Sequence, residues 1–290
     1  MNVSMQDAFN LGWKLVSVLR NRCPPSLLHT YSAERRAIAK ELIDFDREWA
    51  ALLASTHGEG SWTDPAKTQS YFVRSGRYTA GTATHYGPSI LTGESIYQHL
   101  AEGFVVGKRF HSAPVIRLAD AKPVHLGHVL RADGRFRIFA FAEAGNPAAS
   151  SSAIRQLCEF LAEGQESPIR KYRRRDEDID AVIDVRAVFQ QAHRELAIEA
   201  MPSLVLPRKG RYGLHDYEKM FCADVKSAND IFAMRGIDRE AGCMVVVRPD
   251  QYVAHVLPLD GYKQLASFFD GFMLPQSDQD ARRMAETAAA

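Results

Sequence analysis

The sequence of 290 residues predicts an α/β fold in which a helical N-terminal part precedes a mixed sheet. Apolar residues first recur every three to four positions, which is typical of amphipathic helices. From Gly107 onward, short runs rich in β-branched and aromatic residues alternate with further helical patterns. Between these two regions the composition shifts to glycine, serine and threonine, which indicates a connector.

Two packed helices are predicted at the start of the chain. The first runs from Val3 to about Arg20, and Ser4 with Asp7 has the spacing of a capping box at its start. A Cys-Pro-Pro turn ends this helix, because proline cannot continue it. The second helix repeats the apolar pattern from Leu28 to Leu52. The apolar face of the first consists of Met5, Phe9, Trp13 and Val16.

The second half of the chain is predicted to form strands separated by helices. A helical stripe from Ile154 to Leu161 lies where a right-handed crossover between parallel strands requires one. A last helix, Asp260 to Phe272, follows two strands joined by a turn, so the order is βαβ and then ββα. That is the order of a thioredoxin-like fold. The strands are Pro114 to Leu118, Val124 to Leu130, Arg135 to Phe141, Ala181 to Val185, Met244 to Val247 and Tyr252 to Leu257.

These patterns divide the chain into four segments. Residues 1–56 hold the two helices, and residues 57–106 form the connector, with a helix expected from Asp64 towards Tyr78. Residues 107–275 form the thioredoxin-like domain, and the polar, alanine-rich residues 276–290 form a flexible tail.

Charge and hydropathy argue against several classes of partner. Lysine and arginine total 36 against 35 aspartates and glutamates, so no overall field favours nucleic acid or an anionic membrane. No apolar run reaches the roughly 18 residues that a membrane-spanning helix needs, and the first residues lack a signal peptide pattern. A cytoplasmic location is therefore expected.

The cysteines and histidines predict neither a metal site nor thiol chemistry. Cys158 falls in the middle of a helix on its apolar stripe, which favours a buried, inert thiol over a peroxiredoxin-like thiolate. His125 and His128 are a close pair without the helical spacing of a zinc motif, and are interpreted as packed or solvated. No CxxC spacing occurs among Cys23, Cys158, Cys222 and Cys243.

Two further features have alternative interpretations. The basic run Arg170–Arg175 could contact phosphate, but Asp176–Asp180 follows at once, which favours a solvated loop that pairs with itself. The last helix carries an apolar stripe that serves either a subunit interface or an ordinary core, and an interface is slightly favoured. Its members are Leu265, Phe268, Phe269 and Phe272.

Two groups of motifs resemble one enzyme family. The run MNVSMQDAFNLGWKL at residues 1–15 resembles the helix that follows the Gly-Asp FAD motif in class A flavin monooxygenases, and Leu28, Tyr31 and Glu34–Arg36 resemble their next helix. The later motifs resemble the thioredoxin-like C-terminal domain of phenol hydroxylases. They are Gly107-Lys108-Arg109, Asp133-Gly134-Arg135-Phe136, VVVRPDQYVAHVLPL and GYKQLASFFDGFM. The chain is therefore identified as similar to the C-terminal part of an FAD-dependent phenol 2-monooxygenase.

The resemblance implies a cofactor, a co-substrate and a partner. The two helices would end a flavin-binding domain, and the thioredoxin-like domain would form a homodimer. FAD with NADPH and O2 would hydroxylate phenol or a hydroxybenzoate-like ring. Met1 and Asn2 match the positions that contact the isoalloxazine edge, where backbone amides and the helix dipole stabilise negative charge. No catalytic residue carries over, since the GxGxxG, DG and GD motifs are missing, and the chain alone is expected to be inactive.

A rival hypothesis comes from a different class of protein. The absence of GxGxxG favours a non-catalytic thioredoxin-like dimerisation or assembly module, with no nucleic acid or membrane partner. The preserved N-terminal motif favours the enzyme. A thiol oxidoreductase is disfavoured by the lack of CxxC. Under either hypothesis, the apolar faces of the two N-terminal helices would be exposed without an upstream domain, which predicts self-association of the chain.

Overall fold

The computed structural model describes residues 2–54, 69–70, 73, 76 and 81–276. Met1 and the tail after Gln276 lie outside the described residues, and so does most of the helix expected from Asp64 towards Tyr78. The helices are α1 Asn2–Leu19, α2 His29–Ala54, α3 Ala153–Glu163, α4 Pro168–Tyr172, α5 Ile231–Met234 and α6 Tyr262–Asp270.

Both predicted N-terminal helices are confirmed, but the predicted capping box is wrong. Because α1 is already helical at Asn2, Ser4 lies inside the helix instead of at its N-cap. Asp7 faces the second helix, where its carboxylate accepts a hydrogen bond of 2.5 Å from Nε of Arg35. The contact between the two helices therefore determines the role of Asp7.

Seven strands form one mixed sheet in the order β2-β1-β7-β4-β3-β8-β9, and two short strands, β5 and β6, form a separate hairpin. The strands are β1 Pro114–Arg117, β2 Pro123–His125, β3 Phe136–Phe141, β4 Ile183–Phe189, β5 Arg208–Lys209, β6 Leu214–His215, β7 Met220–Cys222, β8 Cys243–Val247 and β9 Val253–Leu257.

The predicted thioredoxin-like order is confirmed. Strands β3 and β4 are parallel and are joined through α3, while β8 pairs antiparallel with both β3 and β9, and α6 follows. All six residues of β3 are buried, which is typical of a central strand covered on both faces.

Several parts of the second half differ from the prediction. The strand expected from Val124 to Leu130 ends at His125, and a 3-10 turn, Leu126–Val129, follows because the amide of Gly127 bonds to Ser112 Oγ at 2.8 Å. Strand β7 was not predicted, since three residues are too few to show an alternating pattern. The short helices α4 and α5 and the hairpin β5–β6 were missed for the same reason.

Apolar clusters cover both faces of the sheet. One includes Trp13 of α1 together with residues of α3 and α6. The other includes Leu100, Phe104 and Val106, which lie within the segment expected to be a connector. The division of the chain at residue 107 stays a prediction.

The expectation that α6 carries an interface stripe is wrong for most of its members. Leu265, Phe269 and Phe272 are buried within the chain, and Phe268 is partly buried beside them. The ring of Phe136 in β3 lies 5.4 Å from that of Phe269 and 5.4 Å from that of Phe272. The same helical spacing serves a core here, because α6 packs onto the sheet.

Gly107 is a position where only glycine fits. Its φ is +82°, and an added Cβ would lie 2.0 Å from the carbonyl oxygen of Tyr86. We expect Gly107→Ala to lower the free energy of unfolding by at least about 2 kcal/mol, because backbone strain and a clash add together. Gly134→Ala is the matched control, since its φ is +78° with nothing within 4 Å of the added Cβ. Urea denaturation of both variants measures the difference, and equal losses would contradict this explanation.

Candidate functional site

A buried carboxylate, Glu34 of α2, is the centre of a network that joins α1, α2 and the turn between β8 and β9. Glu34 accepts hydrogen bonds from both terminal nitrogens of Arg248, at 2.5 and 2.9 Å. It also accepts from Lys14 Nζ at 2.8 Å and from Asn10 Nδ2 at 2.7 Å. Four hydrogen bonds, three of them on Oε2, therefore satisfy a group that is almost excluded from water.

Arg248 connects the two carboxylates of the network. Besides Glu34, its guanidinium donates to Asp250, from Nε at 2.9 Å and from NH2 at 2.7 Å. The guanidinium also lies 5.0 Å from the ring centre of Tyr86 and 5.8 Å from that of Trp13, within the range of cation–π attraction. Arg248 is 1% exposed, so this contact set replaces its hydration completely.

The network extends to the first turn of α1 through Arg35. Its NH1 donates to the hydroxyl of Tyr86 at 3.0 Å, and its NH2 donates to the carbonyl of Val3 at 3.3 Å. The Tyr86 hydroxyl also accepts a hydrogen bond of 3.4 Å from Asn10 Nδ2. We call this set the helix–turn network. Its members are Asn10, Lys14, Glu34, Arg35, Tyr86, Arg248 and Asp250.

Burial and neighbouring charges shift the pKa values inside the network. Burial alone would raise the pKa of Glu34, but Arg248 and then Lys14 outweigh it and lower that pKa to about 2. Burial lowers the pKa of Lys14 to about 8, against the opposing attraction of Glu34. Glu34 is therefore held ionised, whereas Lys14 keeps its proton less firmly than an exposed lysine does.

The acid stability of the chain is expected to depend on Glu34. Because its folded pKa lies below its ordinary value of 4.5, its stabilising contribution is present above that value and is lost as pH falls towards about 2. The midpoint of thermal unfolding of the native chain should fall more steeply below about pH 5 than that of Glu34→Gln. Parallel curves for the two proteins would contradict the low pKa.

The N-terminal end of α1 fits an electron-rich group on chemical grounds. Its first turn contains no acidic residue, so no carboxylate within that turn opposes the positive end of the helix dipole. Arg35 holds the carbonyl of Val3 there, and its own charge is paired with the carboxylate of Asp7. Of the predicted FAD contacts, Asn2 begins α1, and Met1 lies outside the described residues. The residues present fit one edge of a flavin, whereas the sequence has no glycine-rich motif for its pyrophosphate.

A second buried charge cluster lies on the sheet and was not foreseen. Lys219 donates to Asp180 at 2.6 Å and also pairs with Asp184, while Arg137 bonds Asp133 at 2.6 Å. Arg137 lies between apolar residues in β3 and Asp184 between apolar residues in β4, and neither position indicates its partner in the sequence. Each of these carboxylates is paired with a cation, so we interpret the cluster as one that holds strand ends together.

Other predicted features behave as packing or pairing groups. Within the part of the chain that the structure describes, no cluster of histidine, cysteine and carboxylate side chains could hold a metal ion. In the basic run, Arg173 donates to the backbone carbonyl of Glu177 at 2.8 Å. The Glu177 carboxylate pairs with Arg22, and Lys171 pairs with Asp270 of α6, so the loop also pairs with other parts of the chain. None of the described helices has both the length and the apolar character needed to cross a membrane.

The four cysteines are free and buried, and the burial predicted for Cys158 is confirmed. Burial raises the pKa of Cys158 to about 12 and that of Cys222 to about 12, so neither forms a thiolate near neutral pH. We expect a thiol-specific chromogenic reagent at about pH 8 to leave the folded protein unlabelled and to label all 4 cysteines after denaturation. Rapid labelling of Cys158 in the folded protein would reopen the thiol oxidoreductase hypothesis.

Comparison with known families agrees with this geometry. Residues 84–277 match the family described as phenol hydroxylase, C-terminal dimerisation domain, and residues 1–46 match the FAD binding domain family. Together these matches define the class as that of the flavin-dependent aromatic hydroxylases with a dimerisation domain. Within this class, the chain belongs to the phenol hydroxylase C-terminal dimerisation domain family.

Several curated proteins align with most of the chain. A 3-hydroxybenzoate 4-monooxygenase of Comamonas testosteroni is 54% identical over 94% of the chain and 43% of the relative. The FAD-dependent monooxygenase terD of Aspergillus terreus is 35% identical over 94% of the chain and 46% of the relative. A phenol 2-monooxygenase of Aspergillus fumigatus, fsqG, is 28% identical over 97% of the chain and 47% of the relative. The chain thus spans less than half the length of these relatives.

A solved structure shares the fold. The OxyS anhydrotetracycline hydroxylase from Streptomyces rimosus aligns with 95% of the chain and 41% of its own length, with a TM-score of 0.50 and 19% identity. At this identity the likeness is one of fold alone.

Proposed function

We propose that the chain is the C-terminal part of an FAD-dependent monooxygenase that hydroxylates a phenolic ring, using NADPH and O2. The single observation that carries this proposal is the 54% identity to a 3-hydroxybenzoate 4-monooxygenase across 94% of the chain. It favours a hydroxybenzoate-like ring over phenol itself, because the phenol 2-monooxygenase relative is only 28% identical.

The role proposed for this chain is electrostatic positioning. FAD, when bound, supplies the electron transfer and the activation of O2. The backbone amides of Met1 and Asn2 are proposed to face the isoalloxazine edge, where the positive end of α1 stabilises negative charge. Arg35 supports that end by bonding the carbonyl of Val3, and the lack of an acidic residue in the first turn preserves its field.

A homodimer is proposed as the working assembly, supported by the dimerisation domain family of residues 84–277. Part of the surface of α1 is apolar and exposed, as Met5 and Leu19 illustrate, so the chain alone should also self-associate. The four segments with boundaries after residues 56, 106 and 275 remain the proposed domain division. Sedimentation velocity of the chain checks its assembly, and a monomer with no dye-binding apolar surface would contradict it.

The test of the proposed function uses the complete protein that contains this chain. We expect it to purify with FAD, to oxidise NADPH faster when 3-hydroxybenzoate is added, and to release a product heavier by one oxygen atom. Phenol, tested in parallel, should be a poorer substrate. A complete protein that binds FAD but hydroxylates neither ring would contradict the proposal.

The alternative function is a non-catalytic assembly module. The observation in its favour is the absence of GxGxxG from the 290 residues. The two hypotheses differ in the complete protein, which has no flavin absorbance if the alternative is correct. The isolated chain is expected to be inactive under both.

A further inference from the structure

The turn between β8 and β9 contacts both N-terminal helices, although it is distant from them in sequence. Arg248 binds Glu34 of α2 through two hydrogen bonds. Asp250 accepts a hydrogen bond of 3.2 Å from Asn10 of α1. One short turn of the dimerisation domain therefore contacts the two helices that match the FAD binding domain family.

The turn is itself held rigidly. The backbone amide of Arg248 donates to the carbonyl of Tyr252 at 2.8 Å. The amide of Gln251 closes the turn by donating to the carbonyl of Arg248 at 2.9 Å, and the φ of Gln251 is 68°. The side chain of Gln251 is held from two sides, by Arg109 at 2.8 Å and by the carbonyl of Leu130 at 3.2 Å. Because its conformation is held by these hydrogen bonds, the turn can in turn fix the position of the residues that it binds.

The contacts continue without a break to the first turn of α1. Asn10 joins Asp250 to Glu34 and to the hydroxyl of Tyr86, and that hydroxyl also binds Arg35. Arg35 then holds Asp7 and the carbonyl of Val3.

We infer that Arg248 and Asp250 are positioning residues, which fix the rotation and axial position of α1 and thereby the N-terminal end that is proposed to face FAD. The inference rests on the proposed function. A shift of α1 by one residue turns it by about 100°. Asn10 would then lose Glu34 and Asp250, and the buried ammonium of Lys14 would lose Glu34, which is strongly unfavourable for a buried charge. The network therefore favours the observed placement of α1 over one shifted by a residue.

The rival interpretation is that the network only stabilises the fold. Buried ion pairs often stabilise a protein little more than apolar residues of the same size, although removing one partner is damaging. The second charge cluster provides a matched comparison, because Lys219 is equally buried but its partners are Asp180, Asp184 and Asp216, which lie outside α1 and α2.

The experiment compares Arg248→Met with Lys219→Met in the complete protein. Both variants lose a buried cation, so both should lower the midpoint of thermal unfolding. Only Arg248→Met should weaken FAD binding, by about tenfold, and speed up hydrogen exchange in the first turns of α1 by a similar factor. Arg248→Lys should recover part of the stability but little of the affinity, since an ammonium cannot bind a carboxylate through two fixed nitrogens.

A milder variant guards against failure to fold. Asp250→Asn keeps the shape of the turn and should change FAD affinity and α1 exchange in the same direction as Arg248→Met, but less. The inference is overturned if both variants bind FAD like the wild type, or if Lys219→Met weakens FAD binding equally. If the wild-type protein binds no FAD, the proposed function is overturned instead. The hydrogen-exchange rates of α1 in Arg248→Met and Lys219→Met then decide whether the turn positions the helix.

Discussion

Replacement of Glu34 by glutamine is expected to lower the free energy of unfolding by about 3–5 kcal/mol. Glutamine has nearly the same shape, but it leaves the buried cations Lys14 and Arg248 with Asp250 as their remaining carboxylate in the network. The amide nitrogen of glutamine would also face the donors of Arg248. The loss is measured from urea denaturation curves, with the slope checked for two-state behaviour.

Glu240→Gln is the matched control for this change. Its side chain is exposed, and surface substitutions usually alter stability by less than about 0.5 kcal/mol. If Glu34→Gln were as well tolerated as the control, the helix–turn network would not hold the N-terminal helices to the sheet.

Truncation of Phe269 to alanine is expected to lower the free energy of unfolding by about 3–5 kcal/mol, because it opens a cavity in a packed core. The Phe269 ring contacts that of Phe136 at 5.4 Å and that of Phe272 at 5.8 Å between centroids. Phe268→Ala should have a smaller effect, since that ring is only partly buried. Urea denaturation measures both changes.

Sedimentation of the same variants distinguishes a core from an interface. The structure places Phe269 inside the chain, so the assembly state of folded Phe269→Ala should equal that of the wild type. Dissociation of the assembly with little loss of stability would instead support the interface that the helical spacing also permits.

The sequence predicted the elements well where a periodic pattern was long. Helix α1 and the strands β3, β8 and β9 follow from repeated apolar positions, and their βαβ and ββα order followed from the elements themselves. Strand β7 is too short for its period to be detected, although it lies between β1 and β4 in the sheet. The apolar stripe on α6 was predicted from its helical spacing. This spacing does not indicate whether the stripe packs onto the core of the same chain or onto another subunit.

The site was less accessible to sequence analysis than the fold. Glu34 was noted as part of a helix motif, and Arg248 and Asp250 as part of a turn, but their pairing across the chain has no local pattern. Charged residues in these positions are usually solvated, and only the tertiary fold brings them together away from water. Asn10 lies in the N-terminal motif and Tyr86 in the predicted connector, but both are uncharged, and no pattern indicated that they complete the hydrogen bonds of the network.

The dimerisation domain is proposed to hold α1 so that its N-terminal end faces the flavin. The most direct measurement is a crystal structure of the complete protein with FAD bound. We expect the amide nitrogens of the first turn of α1 to lie about 2.7–3.2 Å from acceptor atoms on the pyrimidine edge of the isoalloxazine ring, with the Glu34–Arg248 pair intact. A flavin bound at a distance from that end of α1 would contradict the account.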